Sequence, residues 1–134
     1  MVVDTLGLIL ALVVHAACVQ DRDGAKLVLR KLRHPKRRYP RLVLVWADAG
    51  YAGQLLTWVK RVLRVSVEIV SKHAGQRTFI PLPKRWIVER TFAWLGRYRR
   101  LSKDYEQNTK SSEAWIYLAM IHLMVRRLAR LTSF

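Results

Sequence analysis

The chain has 134 residues, 51% of them hydrophobic, which is one domain's worth of sequence with apolar surface for a single modest core. Lys and Arg number 25 against 9 Asp and Glu, a formal net charge of +16. Such a surplus repels itself unless a polyanion neutralises it, so composition points to nucleic acid or an anionic membrane surface. One cysteine, Cys18, excludes an internal disulfide framework and fits a reducing cytoplasm.

Met1-Val2-Val3 runs into strand-like sequence with no cap or turn before it, as where the first strand of a sheet is missing. Val2 to Thr5 predicts a short strand, Leu6-Gly7 a turn, and Leu8 to Ala16 a second, mostly buried strand. The nearly charge-free stretch from Leu6 to Val19 is shorter than the ~20 residues that span a bilayer. It also follows Asp4 where a signal segment would carry a basic region, so a buried hairpin accounts for it better. Asp4 reads as a turn residue. Asp21 or Asp23 is expected to cap a helix whose apolar members are Ala25, Leu27, Val28, Leu29 and Leu32. His34 to Pro40, basic and bracketed by prolines, ends it.

Leu42 to Ala47 is a continuous apolar run, the pattern of a strand buried on both faces. It leads into Asp48-Ala49-Gly50-Tyr51, a helix over 54–63, and an alternating strand over 65–70. A basic connector, 71–83, precedes a long helix predicted over 84–101 and a polar loop through Asn108. The last helix, predicted over 112–128, is apolar on nearly all sides, as a core helix should be. The order of elements is that of an α/β layer structure.

Asp48 stands where a buried strand ends, and ligands gather at the carboxyl ends of strands in open α/β sheets. It could equally begin a turn and cap the next helix. At about 100° per residue, Val88, Thr91, Phe92, Leu95 and Tyr98 share one arc of their helix, the expected core face. Glu89 points away, towards Arg85, Ala93, Gly96 and Arg100, where a phosphate has room and donors. An exposed glutamate paired with Arg85 is the plainer alternative. Neither carboxylate decides the matter alone.

The segments Val45-Trp46-Ala47-Asp48-Ala49-Gly50-Tyr51 and Arg85-Trp86-Ile87-Val88-Glu89-Arg90-Thr91-Phe92-Ala93-Trp94-Leu95 with its tail Gly96-Arg97-Tyr98-Arg99-Arg100-Leu101 resemble the second and third acidic motifs of bacterial insertion-sequence transposases of the DDE class. The hairpin and the Asp21-Arg22-Asp23-Gly24 stretch resemble the sequence between the first and second motifs. The resemblance covers the chain from Val2 to about Arg127. It implies a ribonuclease-H-like mixed sheet flanked by helices, incomplete at its N-terminal strand, with residues 1–134 forming the C-terminal part of one catalytic domain.

By the same resemblance Asp48 and Glu89 are the second and third metal-binding carboxylates, and Arg85 contacts DNA phosphate. The first carboxylate of the triad has no counterpart in these residues. The family often has a tyrosine where this chain has Leu82, and a lysine where it has Gly96. Two Mg²⁺ (or Mn²⁺) ions, about 3.5–4 Å apart, would serve in-line phosphodiester cleavage and strand transfer. With two carboxylates of three, a truncated and inactive fragment is expected.

DNA, as transposon ends and target, is the implied partner, and a homo-oligomer of the full-length enzyme is compatible with it. Binding itself rests on distributed charge: Lys36, Arg37, Arg38 and Arg41; Lys60, Arg61 and Arg64; Arg97, Arg99, Arg100 and Lys103. Trp86 is expected to pack against the final helix more readily than to stack on a base. His15, His34, His73 and His122 are scattered, unlike a metal cluster. The competing reading is a non-catalytic basic nucleic-acid-binding module. Membrane binding is disfavoured because the charge is not gathered on one amphipathic face.

Overall fold

The computed structural model describes residues 1–32, 39–51, 53–63, 65–70 and 86–132. Strand β1 (Val2–Val3) pairs antiparallel with β2 (Ile9–Ala11). Asp4 makes the turn between them, its Oδ1 accepting the N–H groups of Leu6 at 2.9 Å and Leu8 at 2.8 Å. Gly7 closes the turn at φ 81°, a conformation that an L side chain resists. The second strand stops at Ala11, well short of Ala16. Beyond it the backbone bonds to side chains in place of a neighbouring strand: Leu12 C=O accepts Lys31 Nζ at 2.6 Å and Val14 N–H donates to Glu113 at 3.0 Å.

Helix α1 (Asp21–Lys31) forms as expected, but neither aspartate caps it. The cap residue is Gln20, with no side-chain cap bond, and Asp21 and Asp23 sit in the first turn. There they face the positive end of the helix dipole, and Asp23 also pairs with Lys26 at 3.1 Å.

Strand β3 (Leu44–Asp48), a single 3₁₀ turn (Ala49–Tyr51), helix α2 (Gln54–Leu63) and strand β4 (Ser66–Val70) make a parallel βαβ unit. The register runs from Leu44 opposite Ser66 to Asp48 opposite Val70. The expectation that β3 is buried on both faces is corrected: its first four residues are half-buried and Asp48 is exposed. Among the described residues β3 has only β4 beside it, and Trp46 donates its indole N–H across the pair to Glu68 at 2.9 Å. Ala11, Val28, Leu29, Leu32, Leu55, Val59, Leu63 and Val65 form the core, so the hairpin, α1 and the βαβ unit close on one another.

Helix α3 (Trp86–Leu95) is shorter than predicted, giving way at Gly96-Arg97 to a turn and then a 3₁₀ turn (Arg99–Leu101). Its inner side is also narrower: Thr91 and Leu95 are buried, whereas Val88 and Phe92 are exposed. Thr91 Oγ1 reaches Gly7 C=O at 2.8 Å and Ile87 C=O at 3.0 Å, which docks α3 on the hairpin turn. A Cβ on Gly7 would stand 2.9 Å from that hydroxyl and 3.0 Å from the Trp94 ring.

Helix α4 (Thr109–Thr132) starts earlier than predicted because Asn108 caps it, Oδ1 accepting Lys110 N–H at 2.9 Å. It is not buried all round. Ala119 and Met120 face inward, but Trp115, Leu118, Ile121, Val125, Leu128 and Leu131 are exposed. Glu113 anchors it, bonded to Val14 N–H at 3.0 Å and Lys31 at 2.7 Å.

Burial alone would raise the Glu113 carboxyl, but the Lys31 bond, the Val14 N–H and the charges of Lys31 and Lys110 outweigh it and hold the group below 4.5. Glu113→Ala is expected to cost roughly 1.5–3 kcal/mol in denaturant unfolding. In the native chain this contribution is complete above pH 4.5 and lost as pH falls through the lowered folded-state value. The variant should therefore show a weaker acid dependence.

Candidate active site

Asp48 ends β3, at the carboxyl edge of the parallel pair, and Glu89 lies in the first turn of α3. Different elements carry them, yet both line one cavity of about 490 Å³. Its walls come from β1, α1, the βαβ unit and α3, and its volume suits a small ligand. Most of the lining is apolar, with Asp21, Asp48, Glu89, His15 and Tyr51 among its polar members.

Asp48 plays the turn role as well, since its Oδ1 accepts Gly50 N–H at 3.0 Å. That bond fixes the carboxylate without exhausting it, because an ionised carboxylate offers about four acceptor sites. The Tyr51 phenol is pushed above its ordinary value of 10.0, first by burial and then by the negative charges of Asp21 and Asp48. It therefore stays protonated at neutral pH, a hydroxyl donor at the cavity wall. Sequence reasoning passed over Tyr51 and Asp21 as cavity residues. Tyr51 lies within the Asp-Ala-Gly-Tyr segment, but nothing in the chain order brings α1 to that place.

The donor set at the cavity is mostly hard oxygen, which suits Mg²⁺ or Mn²⁺. Among the described residues no group of three or more His, Cys, Asp or Glu is gathered closely enough to hold an ion. What the cavity offers a divalent metal is therefore separate carboxylates on its lining, Asp21, Asp48 and Glu89. Of the histidines, His15 borders the cavity and His122 meets Tyr98 Oη at 3.0 Å; His34 and His73 lie outside the described residues.

The basic candidates are spread around this centre. Lys60 and Arg61 are exposed in the last turn of α2, and Arg97, Arg99, Arg100 and Lys103 are exposed beyond α3. Arg37, Arg38 and Arg85 lie outside the described residues, as do Lys36, Arg64 and Leu82. Arg100 is already engaged: Nη2 pairs with Glu106 at 2.6 Å, and the guanidinium stands over Tyr105 and Trp115.

One arrangement escaped the sequence reading. The Arg90 guanidinium lies between the rings of Trp86 at 4.4 Å and Trp94 at 4.8 Å, and Arg127 of α4 covers Trp94 at 4.3 Å. The spacing of four residues from 86 to 90 to 94 was the available signal. Trp86 itself is 48% exposed, and it is Trp94 that meets the final helix.

No described helix is long and apolar enough to cross a membrane. No curated protein and no solved structure matches the chain. A family model described as a transposase DDE domain matches residues 1–124, a span that takes in the hairpin, the βαβ unit, Asp48 and Glu89. DDE transposases act on DNA and generally use divalent metal ions. By that match the chain belongs to the transposase DDE domain family.

Proposed function

We propose that this chain serves DNA transposition as the C-terminal part of an insertion-sequence catalytic domain of ribonuclease-H-like fold, with Asp48 and Glu89 as two carboxylates of its metal-binding triad. The supporting observation is that these two groups, distant in sequence, line a single cavity. Bound there, Mg²⁺ or Mn²⁺ would neutralise phosphate charge and favour attack at phosphorus.

The chain's own residues prepare the place. Gly50 N–H orients the Asp48 carboxylate, and Tyr51 presents a protonated hydroxyl. Lys60, Arg61, Arg97, Arg99 and Lys103, with Arg37, Arg38 and Arg85, hold the DNA backbone by charge. Arg100 contributes less, because Glu106 already compensates it. These 134 residues carry two carboxylates of the three, and by themselves would neither cut nor join DNA. The reaction belongs in the cytoplasm, where the DNA ends and target are reached.

Mn²⁺ titration followed by paramagnetic resonance tests this reading. Asp48→Asn and Glu89→Gln should each weaken binding at least about tenfold, whereas Asp104→Asn should not. Mn²⁺ affinity indifferent to both substitutions would remove the metal-site assignment and leave a basic nucleic-acid-binding module. In a strand-transfer assay with Mg²⁺ or Mn²⁺ the 134 residues should be inert. Product formation lost on Asp48→Asn would show that a third carboxylate is dispensable.

A further inference from the structure

Strand β3 has the sequence of an interior strand in the position of an edge strand. Leu44 to Ala47 carries no charge and no proline, the features that commonly guard an open edge. Its continuous apolar run suits burial on both faces. Yet these residues are only half-buried, and among the described residues β4 is the one strand beside them. The cavity shows what adjoins the other edge. Successive residues of a strand point to opposite faces, and Val45, Trp46, Ala47 and Asp48 all line the cavity. Space that touches four consecutive residues runs along an edge, not over one face. Helices α1, α2 and α3 and strand β1 supply other parts of the wall, Val28, Val59, Val88 and Val2 among them.

We propose that the apolar length of this cavity is a strand-addition site, in which an extended segment of another polypeptide lies along β3 and extends its main-chain ladder. The occupant is about five residues long, ~17 Å, to match Leu44–Asp48. It is apolar at successive positions, because space that passes round a strand edge meets both faces of whatever fills it. A fatty chain would suit the walls but brings no N–H or C=O groups to a strand edge. DNA is a poor occupant. Neither Lys nor Arg is among the described lining residues, in a chain that has 25, whereas Asp21, Asp48 and Glu89 are. The same charge favours a cationic side chain where the segment passes Asp48. The inference does not rest on the metal-site reading, and its test is run without divalent ions.

The 134-residue chain is titrated in EDTA with a blocked peptide of five valine and isoleucine residues between two lysines, followed by nuclear magnetic resonance. A Kd below about 1 mM is expected. At saturation the β3 amides directed away from β4 should exchange with solvent at least about tenfold more slowly. N-methylation of alternate peptide residues removes the donors along one edge and keeps every side chain. One of the two alternating patterns should weaken binding at least about tenfold. Phe92→Ser alters an exposed member of the lining and should weaken it at least about fivefold, with circular dichroism confirming the fold.

A folded chain that binds no peptide at about 1 mM overturns the proposal. So does binding that leaves β3 exchange unchanged, tolerates both methylation patterns or is indifferent to Phe92→Ser. Equal affinity for a peptide with glutamates in place of its lysines overturns it as well.

Discussion

Binding of duplex DNA is expected to weaken by about 10³- to 10⁵-fold between about 50 and about 200 mM salt. Each phosphate neutralised by Lys or Arg releases a condensed cation, and six to ten such contacts produce a loss of that order. Lys60, Arg61, Arg97, Arg99 and Lys103 are exposed and lie outside the cavity lining, and under the proposed function they are the side chains that would meet backbone phosphates. Lys60→Gln and Arg61→Gln should each reduce the logarithmic salt slope by about 0.9, with little dependence on DNA sequence. Arg100→Gln should reduce it less, because its charge is already taken up by Glu106. Fluorescence anisotropy at several salt concentrations measures both effects. A slope near zero would mean that the surplus charge has no nucleic-acid role.

Gly7→Ala should destabilise the fold by about 2–5 kcal/mol, combining the cost of a left-handed backbone with that of overpacking. At φ 81° the new methyl would sit 2.9 Å from Thr91 Oγ1 and 3.0 Å from Trp94, both on a helix whose register is already fixed. Thr91 is fully buried and cannot swing outward. Relief must come from moving α3, and Glu89 moves with it. The variant should therefore lose Mn²⁺ affinity as well as stability. Thr91→Val, which removes the hydroxyl bond but keeps the volume, should cost about 1–3 kcal/mol and leave the backbone in place. Denaturant unfolding alongside Mn²⁺ titration separates the two. A Gly7→Ala chain as stable as the native one would show that the turn tolerates the contact.

How far the sequence reveals this architecture depends on which force sets each element. The amphipathic period of α2 is complete within its own residues, and its bounds at 54 and 63 follow from that period. The strand after it begins one residue later than the alternation suggests. The hairpin is different. Its apolar run permits nine residues of strand, but length is decided by the side chains of Lys31 and Glu113, which take the backbone partners beyond Ala11. Helix α4 shows the same limit. An apolar period reports that a face prefers to be covered, and cannot report whether these residues contain what covers it.

The cavity was half legible. Asp48 and Glu89 stand out because each belongs to a recognisable local run. Asp21, like Asp23, reads as a cap because a carboxylate opening a helix commonly serves there, whereas Gln20 takes the position without a side-chain bond. Its place near Tyr51 depends on how α1 packs against the 3₁₀ turn after β3, which local sequence does not encode. The Arg90 stack is equally a product of packing: its rings come from α3, but Arg127 closes it from α4.

The anchorage of Thr91 on the Gly7 carbonyl has a mechanical corollary. Glu89 is two residues from this fulcrum, about 3 Å along the helix axis. Rocking α3 through roughly 10° about it would carry the Glu89 backbone only about half an ångström, while the far end of the helix swept much further. Disturbance arriving through α4 is thus geared down before it reaches the carboxylate.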